Sequence, residues 1–325
     1  MEIQRRQFLH LAAGAAALPL SAHVARAQAY PTRPVRIVVG FVPGGPGDLL
    51  ARLIGQRLSE RLGQPFIVDN RAGAASNIGT EAVVKSLPDG YTLLLMSSAN
   101  FINATFYNKL NFNFIRDIAP VAGIVRVPNV MEINPTVPTK SISDFIAYAK
   151  ANPGKLSMAS GGNGAASHVS GELFKMMTGV NIVHVPYRGT APALTDLIGG
   201  QVQVLFDQII SSIEYVRSGT VRALAVTTAT RSQALPDVPT VADFVPGYEA
   251  STFFGIGAPR STPTEIMEKL NGQVNAVLAE PDMKARLAEM GGMVLAGSPA
   301  DLERLTTEET EKWAKVVKFS GAKPD

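Results

Sequence analysis

A short β-branched run that closes in a glycine-rich turn and then opens a helix recurs along this chain, and that recurrence restricts the fold more than any other feature. Val35-Arg36-Ile37-Val38-Val39-Gly40-Phe41 reads as a buried strand, and Pro43-Gly44-Gly45-Pro46-Gly47 ends it. Asp48 is the expected N-cap of the helix that follows. Leu49, Leu50, Leu53, Ile54, Leu58 and Leu62 recur there at helical spacing until Gly63 and Pro65. The order repeats with a strand at Phe66-Ile67-Val68, a small-residue loop from Arg71 to Asn77, and a helix near Gly79 to Lys85. Pro88-Asp89-Gly90 then turns into a strand from Tyr91 to Met96, followed by a polar loop at Ser97-Ser98-Ala99-Asn100. A second module runs from Leu156 to Ser160, through Gly161-Gly162-Asn163-Gly164, into a helix from about Ser167 to Thr178 that Gly179 ends. A third runs from Ile182 to Val185, through Pro186-Tyr187-Arg188-Gly189-Thr190, into a helix from Pro192 to Ile198.

Strands alternating with helices imply an α/β chain with parallel sheets, in which ligands sit beyond the carboxyl ends of the strands. The glycine loops lie at those ends. The 325 residues allow two lobes. Val121 to Asn134 and Phe253 to Ala258 are extended apolar runs able to cross between them. They divide the chain into a first lobe of 28–126 plus 253–325 and a second lobe of 127–252. Thr262-Pro263 and Ser298-Pro299 each read as an N-cap followed by proline at the first helical position, so the C-terminal stretch is expected to be helical. Trp313, in the last of these helices, is expected to pack rather than to meet a ligand.

Ahead of the first strand, Arg5-Arg6 precede Phe8-Leu9, an apolar run from Leu11 to Leu20, and Ala25-Arg26-Ala27. This is the pattern of an export signal cleaved near Ala27, and residues 1–27 are assigned to it; the paired arginines resemble the twin-arginine type, and a general secretory signal with a basic start has a similar pattern. The apolar run is too short to span a bilayer, and no later stretch reaches about 20 residues without a charge or proline. The mature protein is therefore expected in the periplasm and not in a membrane. With no cysteine in the chain, disulfides, thiolate metal sites, cysteine nucleophiles and a lipidated anchor are all excluded. The formal charge of +3 falls to +1 once the export segment is removed, and basic residues alternate with acidic ones, which argues against nucleic acid.

Chemistry concentrates in the loops. A glycine-rich turn that opens a helix leaves backbone N–H groups unpaired, and the helix dipole adds partial positive charge at the same end. Gly44, Gly45 and Gly47 in one lobe, facing Gly161, Gly162 and Gly164 in the other, would hold an anion between them. Neither loop continues as Gly-Lys-Ser/Thr or shows dinucleotide spacing. Outside the export segment the histidines are His168 and His184; there is no Gly-x-Ser-x-Gly elbow and no paired metal-binding histidines, so no metal, cofactor or catalytic residue is expected. His168 either bonds the ligand or is satisfied by backbone. Asp207, at a strand end, either meets an amino or hydroxyl group of the ligand or caps a helix.

Phe41-x-x-Gly44-Gly45-x-x-Asp48-x-x-Ala51-Arg52, Asn70-Arg71, Asn77-Ile78-Gly79 and Pro88-Asp89-Gly90-Tyr91-Thr92 stand together with Ser160-Gly161-x-x-Gly164, His168, Gly171-Glu172 and Val185-Pro186-Tyr187-Arg188-Gly189. Asp196-Leu197, Gly199-Gly200, Arg222-Ala223-Leu224-Ala225 and Pro236-Asp237-Val238-Pro239-Thr240 complete the set. In this order they resemble the Bug-type substrate-binding proteins of tripartite tricarboxylate transporters. The resemblance implies a bilobed periplasmic-binding-protein (Venus-flytrap) fold that closes on a small carboxylate (a dicarboxylate, aromatic acid or amino acid) without turning it over, as a monomer, for a membrane permease. The ligand-facing residues expected on this basis are Phe41, Pro43, Gly44, Gly45, Gly47, Asp48, Ser97, Asn100, Ser160, Gly161, Gly162, Asn163, Gly164, Ala165, His168, Tyr187 and Asp207. Two departures stand out: Ala74-Ala75-Ser76 where the family usually has more glycine, and Pro46 in the first loop. The alternative is an exported isomerase or hydrolase acting on a carboxylate.

Overall fold

The computed structural model describes residues 30–107 and 109–321; the export segment lies outside the described residues. The modules read from the sequence form β1 (Val35–Val39), α1 (Pro46–Leu62), β2 (Phe66–Asn70), α2 (Asn77–Val84) and β3 (Thr92–Ser97). They are followed by α3 (Ser98–Phe106), β4 (Ile118–Ile133), α4 (Ile142–Ala151), β5 (Ser157–Ser160), α5 (Ala166–Thr178), β6 (Val183–Pro186) and α6 (Thr190–Ile198). Then come β7 (Val204–Gln208), α7 (Ile209–Arg217), β8 (Arg222–Val226), β9 (Ser251–Pro259), α8 (Thr264–Ala279), α9 (Pro281–Glu289), β10 (Met293–Val294) and α10 (Pro299–Ser320).

The strands run in the order β2-β1-β3-β9-β4-β7-β5-β6, with β8 and β10 also paired to β4. Each βα module makes parallel pairs, β1 with β2 and β3, and β5 with β6 and β7. The sheet is mixed rather than parallel throughout, because β4 runs antiparallel to β7, β8, β9 and β10, and β9 antiparallel to β3. Strand β4 joins the two halves. Its residues Ile118 to Pro128 pair with β9 and its residues Asn129 to Ile133 with β7. Sixteen residues at the usual strand rise span on the order of 50 Å, enough to run through both halves.

Each half has its own apolar core. Ile37, Leu50, Ile54 and Leu93 pack with Leu270 and Val274 of α8, while Phe145, Phe174, Phe206 and Tyr248 form the second core. Helix α10 straddles them: Leu302 packs beside Leu94 and Met96 of β3, whereas Trp313, Val316 and Val317 enter the second core. Trp313 is fully buried, and its indole Nε1 donates to Glu309 Oε2 at 2.8 Å.

Three local expectations are corrected. Asp48 is not the N-cap of α1; Gly45 is, Pro46 occupies N1, and Asp48 sits in the first turn. Ser97 to Asn100 is not a loop but a strand end and helix start, where Asn100 Oδ1 accepts the Ser97 N–H at 2.8 Å. In the C-terminal region α8 begins at Thr264 with Pro263 as its cap residue, because the Thr262 hydroxyl donates back to the Pro259 carbonyl at 2.8 Å. Ser298 does cap α10 as its spacing implies, exchanging bonds with Asp301 at 3.0 and 3.2 Å. Ala74, Ala75 and Ser76 all have positive φ, at 45°, 49° and 80°, a backbone conformation that glycine adopts without strain.

Candidate functional site: an amide-lined cleft

A cavity of about 90 Å³ lies between the two halves of the sheet, where the carboxyl ends of the βα modules meet. From the first half come Phe41, Val42, Pro43, Gly45, Pro46 and Gly47 of the β1–α1 turn, and Ser97 and Ala99 at the start of α3. The second half supplies Gly161 and Ala165 to Ser167 at the start of α5, Gly189 to Ala191 at the start of α6, and Asp207 and Gln208 at the end of β7. Thr252 and Phe254 of β9 complete the lining. Gly47 packs closely against the floor: a Cβ there would stand 3.1 Å from Leu95 Cδ2 and 3.5 Å from the Phe254 ring, so a larger residue would press on Leu95.

Helices α1, α5 and α6 all present their N-termini here. The first turn of a helix has N–H groups with no partner inside the helix, and its end carries roughly half a positive charge. Pro46 at N1 of α1 removes one such donor, and the N–H groups of Gly47 and Asp48 follow it. Among the described lining residues there is no lysine, arginine or histidine, and Asp207 is the one ionisable side chain. The cleft can therefore hold an anion through backbone dipoles alone.

The structure separates residues that reach the cleft from residues that brace it. Phe41, Pro43, Gly45, Gly47, Ser97, Gly161, Ala165 and Asp207 line it. Gly44, Asp48, Asn100, Ser160, Gly162, Asn163, Gly164, His168 and Tyr187 are not among the residues that line this cavity. Asp48 Oδ2 accepts the Gly44 N–H and the Arg52 Nε–H, both at 3.0 Å, and so fixes the first loop. Burial alone would raise its carboxyl, but Arg52, the Gly44 N–H and Asn70 outweigh that and hold it below the ordinary value. Asn100 turns inward to donate to Thr80 Oγ1 at 2.8 Å. Tyr187 donates its hydroxyl to Asp196 Oδ2 at 2.6 Å.

The second loop is held by a pair of stacked imidazoles. His168 and His184 lie 3.9 Å apart, tilted by 10°. His168 Nδ1 accepts the Gly164 N–H at 3.1 Å, and Ser160 Oγ lies 2.6 Å from His184 Nε2. His168 is pushed down to about 3 by burial first, then by His184 and Lys175, so it is neutral at working pH and serves as an acceptor for the loop. Gly162, with φ of +128°, turns both its N–H and its carbonyl to Ser160 Oγ, each at 3.2 Å. Sequence reasoning missed Gly189, Thr190, Gln208, Thr252 and Phe254. A signal for the first two existed, since Gly189-Thr190 is a strand-to-helix turn of the same type as the other two.

Residues 50–321 match the model of the tripartite tricarboxylate transporter family receptor. The chain belongs to this family. Protein BugT of Bordetella pertussis is 36% identical over 318 residues, covering 97% of this chain and 96% of that protein. The solved structure described as R. palustris Rpa4515 with adipate superposes with a TM-score of 0.87 at 42% identity, covering 91% of this chain and all of that one. The periplasmic binding protein BugD gives a TM-score of 0.84 at 35% identity, covering 90% of this chain and 99% of that one. The two sheet halves and the cleft between them are thus the bilobed arrangement of periplasmic binding proteins, and the family is one of solute-binding receptors, not of enzymes. Among the described residues no helix is long and apolar enough to cross a membrane, and no cluster of His, Cys, Asp or Glu is arranged to hold a metal ion.

Proposed function

We propose that this protein is a periplasmic receptor that captures a small carboxylate in the interlobe cleft, releases it unchanged, and delivers it to a membrane permease of the tripartite tricarboxylate type. The observation that carries this reading is the convergence of three helix N-termini on a cavity without a cationic side chain. Such a wall recognises the carboxylate group, common to every ligand of the class, and leaves the rest of the molecule to the other residues. A solved relative with adipate supports the choice of anion.

The lobes of this reading are 28–126 plus 253–325 and 127–252, hinged at β4 and β9, with Phe41, Pro43, Gly45, Gly47, Ser97, Gly161, Ala165 and Asp207 facing the ligand. The protein acts as a monomer after export through Arg5-Arg6 and cleavage near Ala27. Replacing both arginines with lysine is expected to strand the precursor in the cytoplasm, and normal periplasmic levels of that variant would overturn the twin-arginine route. The function itself is tested by native mass spectrometry of the purified protein for retained ligand, followed by long incubation with that compound. Stoichiometric binding with quantitative recovery is expected, and any conversion would make the protein an enzyme.

A further inference from the structure

Besides the amides of the helix starts, the cleft lining includes two acceptor-bearing side chains, Asp207 and Gln208. Asp207 is 1% exposed at the end of β7, Oδ1 accepting the Gln208 N–H at 2.7 Å and Oδ2 the Ser211 hydroxyl at 2.6 Å. Gln208, not Asp207, is the N-cap residue of α7, and these two bonds occupy one lone pair on each Asp207 oxygen and leave the carboxylate with acceptor capacity to spare. Beside it Gln208 Oε1 is buried with no hydrogen-bond partner among the described residues. A buried acceptor of this kind is costly unless something donates to it. The bonds Asp207 makes at the start of α7 explain neither that oxygen nor the absence of cationic side chains from the described lining.

A second acid stands behind the first. On the antiparallel pair β4–β7, Val130 faces Asp207 and Glu132 faces Leu205, so the Glu132 and Asp207 side chains lie on the same face, one step apart diagonally. Glu132 is wholly buried; its Oε1 accepts the Ser212 hydroxyl and its Oε2 has no partner. Neither acid is in an ion pair with any lysine, arginine or histidine among the described residues. Two buried carboxyl groups this close, without a cation, do not ionise together: once the pH passes about 7, where Asp207 releases its proton, they hold one negative charge between them. Glu132 does not line the cleft, so the pair's proton rests there, and Asp207 presents the acceptor face to the ligand. Burial, and then the charge of Asp207, drive Glu132 far above the ordinary range.

Resting on the carboxylate reading above, we propose that Asp207 and Gln208 are the specificity determinants of the cleft and select an acid that carries a hydrogen-bond donor on its chain, a hydroxy- or amino-carboxylate, over the unsubstituted acid. The carboxylate docks on the helix N-termini, and the hydroxyl or ammonium donates to Asp207 and to the free Gln208 Oε1. An unsubstituted chain leaves both acceptors buried and dry, which is the mismatch that discriminates most strongly between ligands of one shape.

Calorimetry with matched acids tests this: succinate, malate and aspartate on one skeleton, and 3-phenylpropionate, 3-phenyllactate and phenylalanine on another. On whichever skeleton binds, the hydroxy or amino member is expected to bind at least about tenfold tighter than the unsubstituted acid, the scale of one charge-assisted hydrogen bond. Asp207→Asn is expected to erase the advantage of the amino acid, and Gln208→Met to reduce that of the hydroxy acid. An unsubstituted acid that binds as tightly as both its partners overturns the inference and leaves carboxylate capture standing. If no acid on either skeleton binds, the carboxylate reading fails and takes this inference with it. The wild-type comparison decides even if a variant does not fold.

Discussion

Gly161→Ala separates the cleft reading from an ordinary tight turn. A Cβ at position 161 would stand 3.2 Å from Thr190 Oγ1 and 3.4 Å from Thr190 N, in the gap between the starts of α5 and α6. The residue has no positive φ, and its N–H and carbonyl are already engaged, with Ser167 Oγ at 2.9 Å and the Gly189 N–H at 3.1 Å. Alanine therefore suits the backbone conformation, and the smaller entropy of its unfolded chain favours the variant by about 0.4–1 kcal/mol. Its methyl group, comparable to the roughly 30 Å³ of a water, intrudes on a cavity of about 90 Å³ beside the Thr190 amide. If that amide holds a carboxylate oxygen, one charge-assisted hydrogen bond is lost, about 1.5–3 kcal/mol. The dissociation constant should then rise roughly 10- to 150-fold. Titration calorimetry with the ligand recovered from the purified protein measures it, and the ligand-free melting temperature should not fall. Gly162→Ala is the counterpart: φ of +128° makes alanine strained there, and Gly162 is not among the residues that line the cavity. It should lose about 1–3 kcal/mol of folding stability and change affinity less. Wild-type affinity in Gly161→Ala would refute the placement of the carboxylate.

Burial carries Asp207 up to about 7 from its ordinary 3.8, against the pull of Ser211 and the Gln208 N–H, so between those values the folded protein keeps a proton that the unfolded chain has released. This group's contribution to stability falls as pH rises through that window and levels off above it; the ligand-free Asp207→Asn variant should therefore gain melting temperature over wild type from pH 5 to pH 8, and an unchanged difference would disprove the burial argument. Ala75→Gly should stabilise the protein by about 1 kcal/mol in urea unfolding, since Ala75 sits at φ of 49°. Trp313→Ala removes the largest fully buried side chain from the second core and should cost about 3–5 kcal/mol in the same assay.

The βα modules were legible because each carries two independent signals, an apolar run of the right period and a glycine turn at its end. Ile37-Val38-Val39 followed by Gly44-Gly45 could be little else. Sequence does not show which polar side chains are engaged within the protein: Asn100 binds the Ser97 amide, Asp48 the Gly44 amide and Tyr187 the Asp196 carboxylate, with the same chemistry that suggests ligand contact. Long-range crossing explains the other misses. Thr252 and Phe254 reach the cleft because β9 pairs with both β3 and β4, a partnership across more than a hundred residues that no local window contains.

This division between lining and brace bears on how one scaffold can serve many ligands. The carboxylate wall is backbone, so its geometry is set by the glycines and by the buried His168–His184 and Asp48–Arg52 supports behind them. Substituting a lining side chain leaves those supports intact. The lining also includes side chains on β7 and β9, namely Asp207, Gln208, Thr252 and Phe254, at strand positions whose backbone pairing holds whatever residue stands there. Affinity for an acid and choice among acids are thus carried by different atoms. A variant such as Gln208→Met should therefore change which acid binds without abolishing acid binding, whereas disturbing the Gly161 loop should weaken every acid together.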